Sequence, residues 1–166
     1  MSQPTLKVLF LCTHNSARSI LAEAVLNHIG QGRFKGYSAG SSPRENQQPN
    51  PLGLGVLRAA GIPIEGLRSK SWDEFATPGA PVMDLVITVC DNAAGEVCPF
   101  WPGHPATAHW GLADPSAGDA SDIVKREAFR QTLYALRRRL ELLVSLPAQS
   151  VDKLLLQASA RSLAQS

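Results

Sequence analysis

One short stretch near the start of the chain constrains the fold most strongly. The run LKVLFL, residues 6–11, is almost continuously apolar, which is typical of a strand buried on both faces. It runs directly into Cys12, and over residues 18–29 apolar residues then recur every three or four positions, the period of a helix face. A buried strand followed so closely by an amphipathic helix predicts an α/β fold.

Further strand and helix patterns alternate along the chain. Apolar runs predict strands at 34–39, 83–90 and 106–111, and helical patterns predict helices at 51–60 and 122–146. Strands that alternate with helices pair in parallel through right-handed crossovers. The sequence therefore predicts a parallel sheet.

Length and charge limit the class of protein. A chain of 166 residues is about the size of one domain, and its net charge of +2 gives no indication of nucleic-acid binding. We expect one domain at 1–146 and a helical tail at 147–166. The basic run LRRRL, residues 136–140, predicts a solvated face of the last long helix.

The sequence carries no pattern of membrane insertion, and its first apolar stretch reads as a strand rather than as a signal peptide. We therefore expect a cytoplasmic protein, whose thiols stay reduced. The three cysteines, Cys12, Cys90 and Cys98, are an odd number, which argues against a fixed disulfide framework. Without such a framework, the cysteines are either buried apolar residues, metal ligands or reactive thiols.

The segment from Cys12 to Arg18 has the features of an anion-binding loop. Small polar residues between a strand and a helix can turn several backbone N–H groups towards one anion, and the helix adds its positive N-terminal end. A cysteine at the base of such a loop would have a lowered pKa, and Arg18 would supply a bidentate donor for a tetrahedral oxyanion. Ser19 could donate a hydrogen bond to the thiolate. The alternative is a merely buried Cys12 and a surface Arg18.

These residues resemble a known signature. VLFLCTHNSARS followed by LAEAVLNH is similar to the loop of the low-molecular-weight protein tyrosine phosphatases and of the related arsenate reductases. The resemblance implies a single-domain, three-layer α/β/α fold with a four-stranded parallel sheet wound as in flavodoxin. It also implies that Cys12 attacks the oxyanion centre while Arg18 binds its oxygens. The backbone donors would come from Thr13, His14, Asn15, Ser16 and Ala17. Many arsenate reductases have a second cysteine where this chain has Ala17.

Asp114 is the candidate acid of the site. It precedes Pro115 in the loop after the last predicted strand, and proline restricts the preceding residue to extended conformations. A carboxylic acid near the loop could protonate a departing oxygen. An Asp-Pro pair alone is a common turn, but both related families carry one at this point in the chain.

The two later cysteines leave several readings open on spacing alone. Cys90 and Cys98 could pass a disulfide outward, could be an inert strand-end residue and a chance surface thiol, or could bind zinc, although their spacing is unusual for zinc. The stretch DLVITVCDNAAGEVCPFWPG followed by AHWGLADP resembles the arsenate-reductase branch. That resemblance implies a disulfide relay from Cys12 through Cys90 to Cys98.

The same resemblance implies the partners and cofactors. Arsenate would be the substrate, with phosphate and sulfate as competing oxyanions, and thioredoxin or glutathione with glutaredoxin would recycle the enzyme. We expect no tightly bound cofactor, no catalytic metal and a monomer. Some relatives bind potassium beside the loop, and the matching positions are Asn15, Glu23, Ser38 and Asp73. The alternatives are a phosphatase and a non-enzymatic oxyanion or redox sensor.

Overall fold

The computed structural model describes residues 5–89, 105–146 and 160–164. Four strands and three α-helices lie within residues 5–146, with one short 3-10 helix, Trp72–Phe75, before the third strand, and residues 160–163 are also helical. The strands are β1 (Leu6–Cys12), β2 (Phe34–Gly40), β3 (Leu85–Thr88) and β4 (Ala106–His109), and the helices are α1 (Arg18–Ile29), α2 (Pro51–Ala59) and α3 (Asp122–Val144).

The four strands form one parallel sheet in the order β2-β1-β3-β4. The chain thus moves from β1 to one side for β2 and to the other side for β3. This is the flavodoxin-like winding, and it places the reversal of strand order at the carboxyl end of β1, where such sheets bind ligands. The predicted fold class is confirmed.

The residues of β1 alternate between two hydrophobic cores. Val8 and Phe10 pack with the apolar faces of α1, α2 and α3, whereas Leu9 and Leu11 pack on the other face of the sheet against the 3-10 helix. All four side chains are fully buried. Burial on both faces explains why the strand is a continuous apolar run rather than an alternating one.

Each strand and helix predicted within 5–146 has a counterpart among the described residues, and several end earlier than the sequence suggests. Of the third predicted strand, 83–90, Leu85–Thr88 form β3, and its ladders with β1 and with β4 both span these four residues. Residue 90 lies outside the described residues. Helix α2 begins at Pro51, behind an Asn50 side chain that accepts from the Leu52 amide at 2.9 Å.

The expectation of a solvated basic face at 136–140 is wrong for Arg139. Its guanidinium lies 5.8 Å from the centre of the buried Trp110 ring, and burial lowers the pKa of this arginine. Leu136 and Leu140 are fully buried. Since positions three apart share a helix face, Arg139 lies beside Leu136 at the margin of the buried face and is half-buried, while Arg138 is exposed.

Residues 160–164 pack beside the edge strand β4. The Trp110 indole donates to the Ala160 carbonyl at 2.7 Å, and Arg161 Nε donates to the Thr107 carbonyl at 3.1 Å. Ala160 is fully buried. The division of the chain into a domain at 1–146 and a tail stays a prediction, because residues 147–159 lie outside the described residues.

Among the described helices, none is both long and apolar enough to cross a membrane.

Candidate active site

Cys12 is the last residue of β1, at the centre of the carboxyl edge of the sheet. It pairs with Gly40 of β2, and the preceding Leu11 pairs with Thr88 at the end of β3. Only 4% of Cys12 is exposed. The strand therefore delivers the thiol to the base of the loop that connects β1 to α1, as the sequence predicts.

The backbone of this loop is held by its carbonyl groups. Three carbonyls accept from amides that follow β2: Cys12 from Ser41 at 3.0 Å, Thr13 from Ser42 at 2.8 Å, and Ser16 from Asn50 at 2.8 Å. The N–H groups of residues 14–17 donate to no acceptor within the described residues. Amides left with free donors at a helix N-terminus are suited to an oxyanion.

The N-terminus of α1 differs from those of the other helices. Side chains cap α2, α3 and the 3-10 helix, whereas Ala17 at the start of α1 offers no capping group and the first turn holds no acidic residue. Since neither a cap nor a carboxylate satisfies the first N–H groups, the positive end of this helix is directed at the loop without compensation.

Asn15 gives the loop its shape. Its backbone has φ +58°, a left-handed conformation that asparagine tolerates better than most residues, and its side chain is fully buried. Its Nδ2 donates to Ser19 Oγ at 2.8 Å, and its Oδ1 accepts from the Lys70 amide at 3.0 Å. Because Ser19 accepts this bond, its own hydroxyl hydrogen stays available for donation.

Arg18 and Asp114 meet at one cleft. Arg18 Nη1 donates to the Leu112 carbonyl at 2.8 Å, which holds Nη2 at 4.0 Å from Asp114 Oδ2. The buried Nε of Arg18 has no hydrogen-bond partner among the described residues. Asp114 Oδ1 accepts from both the amide and the hydroxyl of Ser116. One oxygen of the carboxyl is thus held while the other faces the arginine.

The cleft has a volume of about 710 Å³ and includes Cys12, Arg18 and Asp114 in its lining. His14, Ser16 and Ala17 also line it, whereas Thr13 and Asn15, the other two predicted donors of the loop, are not among its lining residues. Arg44, from the segment after β2, lies exposed at its rim.

Cys90 and Cys98 lie outside the described residues, and the inferences about them remain predictions. The residue before Cys90 is described. The Val89 amide donates to the Leu11 carbonyl at 2.8 Å, so the chain passes directly beside the residue that precedes Cys12.

The four positions that match a potassium site do not fit a cation here. Lys70 Nζ lies 3.8 Å from Glu23 Oε1, and Ser38 Oγ donates to the same oxygen. Asn15 Oδ1 is already bonded to the Lys70 amide, and Asp73 is exposed. A potassium ion about 4 Å from the ammonium group would meet a repulsion on the order of 4 kcal/mol.

Burial dominates the acid–base behaviour of the Glu23–Lys70 pair. It raises the pKa of the Glu23 carboxyl, against the opposing effects of Lys70 and Ser38, and it lowers the pKa of Lys70 despite the attraction of Glu23. Both shifts disfavour the charged forms, and the attraction between the two groups opposes both shifts.

The sequence reading did not identify Lys70 or the Leu112 carbonyl as part of the site. A lone lysine between two serines carries no motif, and a backbone carbonyl carries no side-chain signal at all. The position of Lys70 three residues before Asp73 is the one available indication, since Asp73 matched the potassium pattern.

The fold and the site together define a class: parallel α/β proteins that hold a thiol at the carboxyl end of the first strand, at the base of a loop that leads into a helix N-terminus. Residues 7–155 match the family described as low molecular weight phosphotyrosine protein phosphatase. The chain belongs to this family.

Several proteins similar to this chain are arsenate reductases. The arsenate reductase of Bacillus licheniformis is 35% identical over 142 residues, which cover 85% of this chain and 95% of that protein. A solved arsenate reductase in a phosphate-binding state superposes with a TM-score of 0.67 at 28% identity, covering 85% of this chain and 98% of the other. A thioredoxin-dependent arsenate reductase of Corynebacterium glutamicum has a TM-score of 0.56 at 28% identity, covering 86% of this chain and 65% of the other.

Proposed function

We propose that this chain reduces arsenate to arsenite, with Cys12 as the nucleophile. The observation that carries the proposal is the convergence on one cleft of a buried thiol, Arg18, Asp114 and a loop whose amides at 14–17 have no acceptor among the described residues. The names of the relatives give the choice of arsenate over other oxyanions.

In the first step, arsenate lies in the loop with its oxygens on the amides of residues 13–17 and on Arg18. The Cys12 thiolate attacks arsenic, Asp114 gives a proton to one oxygen, and that oxygen leaves as water. The Ser19 hydroxyl donates a hydrogen bond to the thiolate before attack. The product is a covalent cysteine–arsenate adduct in which arsenic is still pentavalent.

The reduction proper follows through the later cysteines. The Cys90 thiolate attacks the Cys12 sulfur, the sulfur–arsenic electron pair passes to arsenic, and arsenite leaves with trivalent arsenic. A Cys12–Cys90 disulfide remains. Cys98 then attacks Cys90, which frees Cys12 and leaves a Cys90–Cys98 disulfide. The bond from Val89 to Leu11 supports this order, because the chain reaches Cys90 directly from a position beside Cys12.

A dithiol protein of the thioredoxin type returns the enzyme to its reduced form. The support is the solved relative described as thioredoxin-dependent. Glutathione with glutaredoxin is the other candidate, and the two are distinguished by which of them sustains repeated turnover of arsenate in a purified system.

The test is a single-turnover count of thiols on fully reduced protein, with and without arsenate, with arsenite assayed in the same tube. We expect two of the three thiols to disappear with about one equivalent of arsenite, and Cys12→Ser to abolish both signals. Cys98→Ala should still release arsenite but should leave a Cys12–Cys90 disulfide, which peptide mapping identifies.

Hydrolysis of an aryl phosphate without loss of thiols would instead establish a phosphatase, the activity that gives the family its name. The cleft supports that alternative too, since the loop, arginine and acid suffice for it. Arsenite formed only after addition of glutathione would keep the reaction but contradict the internal relay.

A further inference from the structure

We infer that Lys70 is a built-in substitute for a monovalent cation and that its ammonium group holds the Cys12 loop in its oxyanion-binding conformation without potassium. The inference concerns the site of the proposed function and rests on that function for its substrate. It follows from the Lys70 ammonium group, which lies 3.8 Å from Glu23, one of the residues that match the potassium pattern.

The first observation is the environment of the ammonium group. Lys70 Nζ donates to the Arg68 carbonyl at 2.8 Å and lies 3.8 Å from Glu23 Oε1, which also accepts from Ser38 Oγ at 2.5 Å. The side chains of Lys70 and Glu23 are only 8% and 14% exposed. Carbonyl, carboxylate and hydroxyl oxygens are the donor set that a hard cation takes, and here an ammonium group lies among them.

The second observation is that Lys70 is the described cation with the larger electrostatic effect on Glu23, while Arg68 has a smaller one. The nearby Arg68 is engaged by Glu74 through two hydrogen bonds, at 2.6 and 3.0 Å, on the exposed side of the segment. Removing Lys70 therefore leaves a buried carboxylate without its close positive partner, a strongly unfavourable arrangement.

The third observation links this pair to the catalytic loop. The Lys70 amide donates to Asn15 Oδ1, and the Lys70 carbonyl accepts from the Gly40 amide at 2.8 Å. Asn15 in turn holds Ser19 and adopts the left-handed conformation that shapes the loop. Glu23 fixes the Lys70 side chain, and the Lys70 backbone fixes Asn15. Lys70 is thus a positioning residue that acts on Cys12 through Asn15.

The experiment measures the binding of inorganic phosphate to reduced protein by calorimetry. Buffers of potassium, sodium or tetramethylammonium chloride are compared at constant ionic strength. The native protein should bind phosphate with the same affinity in all three, and its unfolding temperature should not depend on the cation. Because phosphate binding needs no electron transfer, a chain that fails to produce arsenite would still test Lys70.

The decisive variant is Lys70→Met, with Lys35→Met as its matched control, since Lys35 is exposed on β2. In tetramethylammonium, Lys70→Met should bind phosphate roughly 5-fold or more weakly, the lower range for coupling between linked sites. Potassium should restore the affinity in a saturable manner. The control should bind as the native protein does in every buffer.

A second variant, Glu23→Gln with Lys70→Met, removes both charges together and avoids an unpaired buried carboxylate. It should fold, bind phosphate more weakly than the native protein and show no response to potassium. If Lys70→Met alone does not fold in any buffer, a double variant whose phosphate affinity equals that of the native protein, or rises with potassium, would overturn the inference.

The inference is overturned if potassium strengthens phosphate binding by the native protein, or if Lys70→Met binds phosphate normally in tetramethylammonium. Weak binding by Lys70→Met that potassium does not restore would also overturn it, because a purely structural lysine gives that result. So would a double variant that binds as tightly as the native chain.

Discussion

Two charged side chains of the cleft are each held by a neighbouring backbone group. The Leu112 carbonyl fixes one guanidinium nitrogen of Arg18, and the Ser116 amide fixes one carboxyl oxygen of Asp114. Arg18 Nη2 and Asp114 Oδ2 then lie 4.0 Å apart. Groups held in this way lose little freedom when an oxyanion binds, which is a main source of catalytic rate.

Replacement of Asp114 by asparagine tests its role as the acid. Asp114→Asn should lower the single-turnover rate of arsenite formation by about 10²- to 10⁴-fold, the usual contribution of a general acid. Phosphate binding should persist, because Arg18 and the loop amides are untouched. Asp119→Asn, an exposed residue of the same loop, is the control. A rate within a few-fold of native would exclude Asp114 as the proton donor.

The buried Glu23 carboxyl predicts a dependence of stability on pH. Burial raises its pKa above the ordinary value of 4.5, so the folded chain binds this proton more tightly than the unfolded chain does. Its contribution to stability is fully present below pH 4.5 and is lost as the pH rises through the folded pKa. Glu23→Gln removes this titration. The free energy of unfolding, measured with urea, should therefore change differently in the two proteins. The value for the variant minus the value for the native protein should increase as the pH rises from 4.5 through the folded pKa of Glu23. A constant difference would contradict the shifted pKa.

At the scale of elements, the end of β2 lies unusually close to the Cys12 loop. A Cβ atom added to Gly40 would lie 2.6 Å from the Thr13 carbonyl oxygen and 3.0 Å from the Asn15 amide nitrogen. These are backbone atoms, which cannot move aside as a flexible side chain can. Glycine at this position is what allows strand and loop to pack at this distance.

Substitution of Gly40 should therefore damage the loop. Gly40→Ala should weaken phosphate binding by roughly tenfold or more, since a shift of 1 Å at a site can reduce activity about a hundredfold. Gly55→Ala is the matched control, because nothing lies within 4 Å of its added Cβ and alanine favours a helix by about 1 kcal/mol. Phosphate titration of both variants makes the comparison. Native affinity in Gly40→Ala would show that the loop tolerates displacement.

Whether a segment forms a strand or a helix was predictable, because apolar residues recur with a different period in strands and in helices. The continuous apolar run of β1 and the three-to-four spacing of α1 give their type and bounds almost unaided. Strand ends were less predictable, because they depend on pairing with neighbouring strands, as for the four pairs that join β3 to β4. Arg139 was misplaced because its charge suggested solvent while its helical position directs it to Trp110.

At the scale of the whole molecule, the C-terminal residues contribute to the body of the fold. The buried Trp110 indole has its hydrogen-bond acceptor in Ala160, and Arg161 reaches the edge strand β4. An edge strand exposes unpaired backbone groups, and a covering segment protects them. Residues at the end of the chain are therefore part of the stability of the sheet.

Truncation tests this contribution. A chain ending at residue 159 should lose about 1–3 kcal/mol of unfolding free energy, because the Trp110 N–H would lose its partner. A chain ending at residue 164 keeps both contacts and should match the full-length protein. Urea unfolding of the three chains gives the values. Equal stabilities would show that the packing of residues 160–164 contributes nothing.

The sequence by itself determined the fold class and the local chemistry of the candidate site. Hydrophobic periods are set by neighbours a few residues apart, and the order strand, Cys12, short loop, Arg18 is local as well. These features can be read without knowing what lies across the sheet.

Tertiary structure decided what no local pattern encodes. It brought Asp114 to Arg18 through the Leu112 carbonyl, and it placed the Lys70 ammonium beside Glu23 beneath the loop. These contacts join residues far apart in the chain, and several run through backbone atoms that are chemically the same at every position. Only the paths of β2, β4 and the segments after them determine which of those atoms meet.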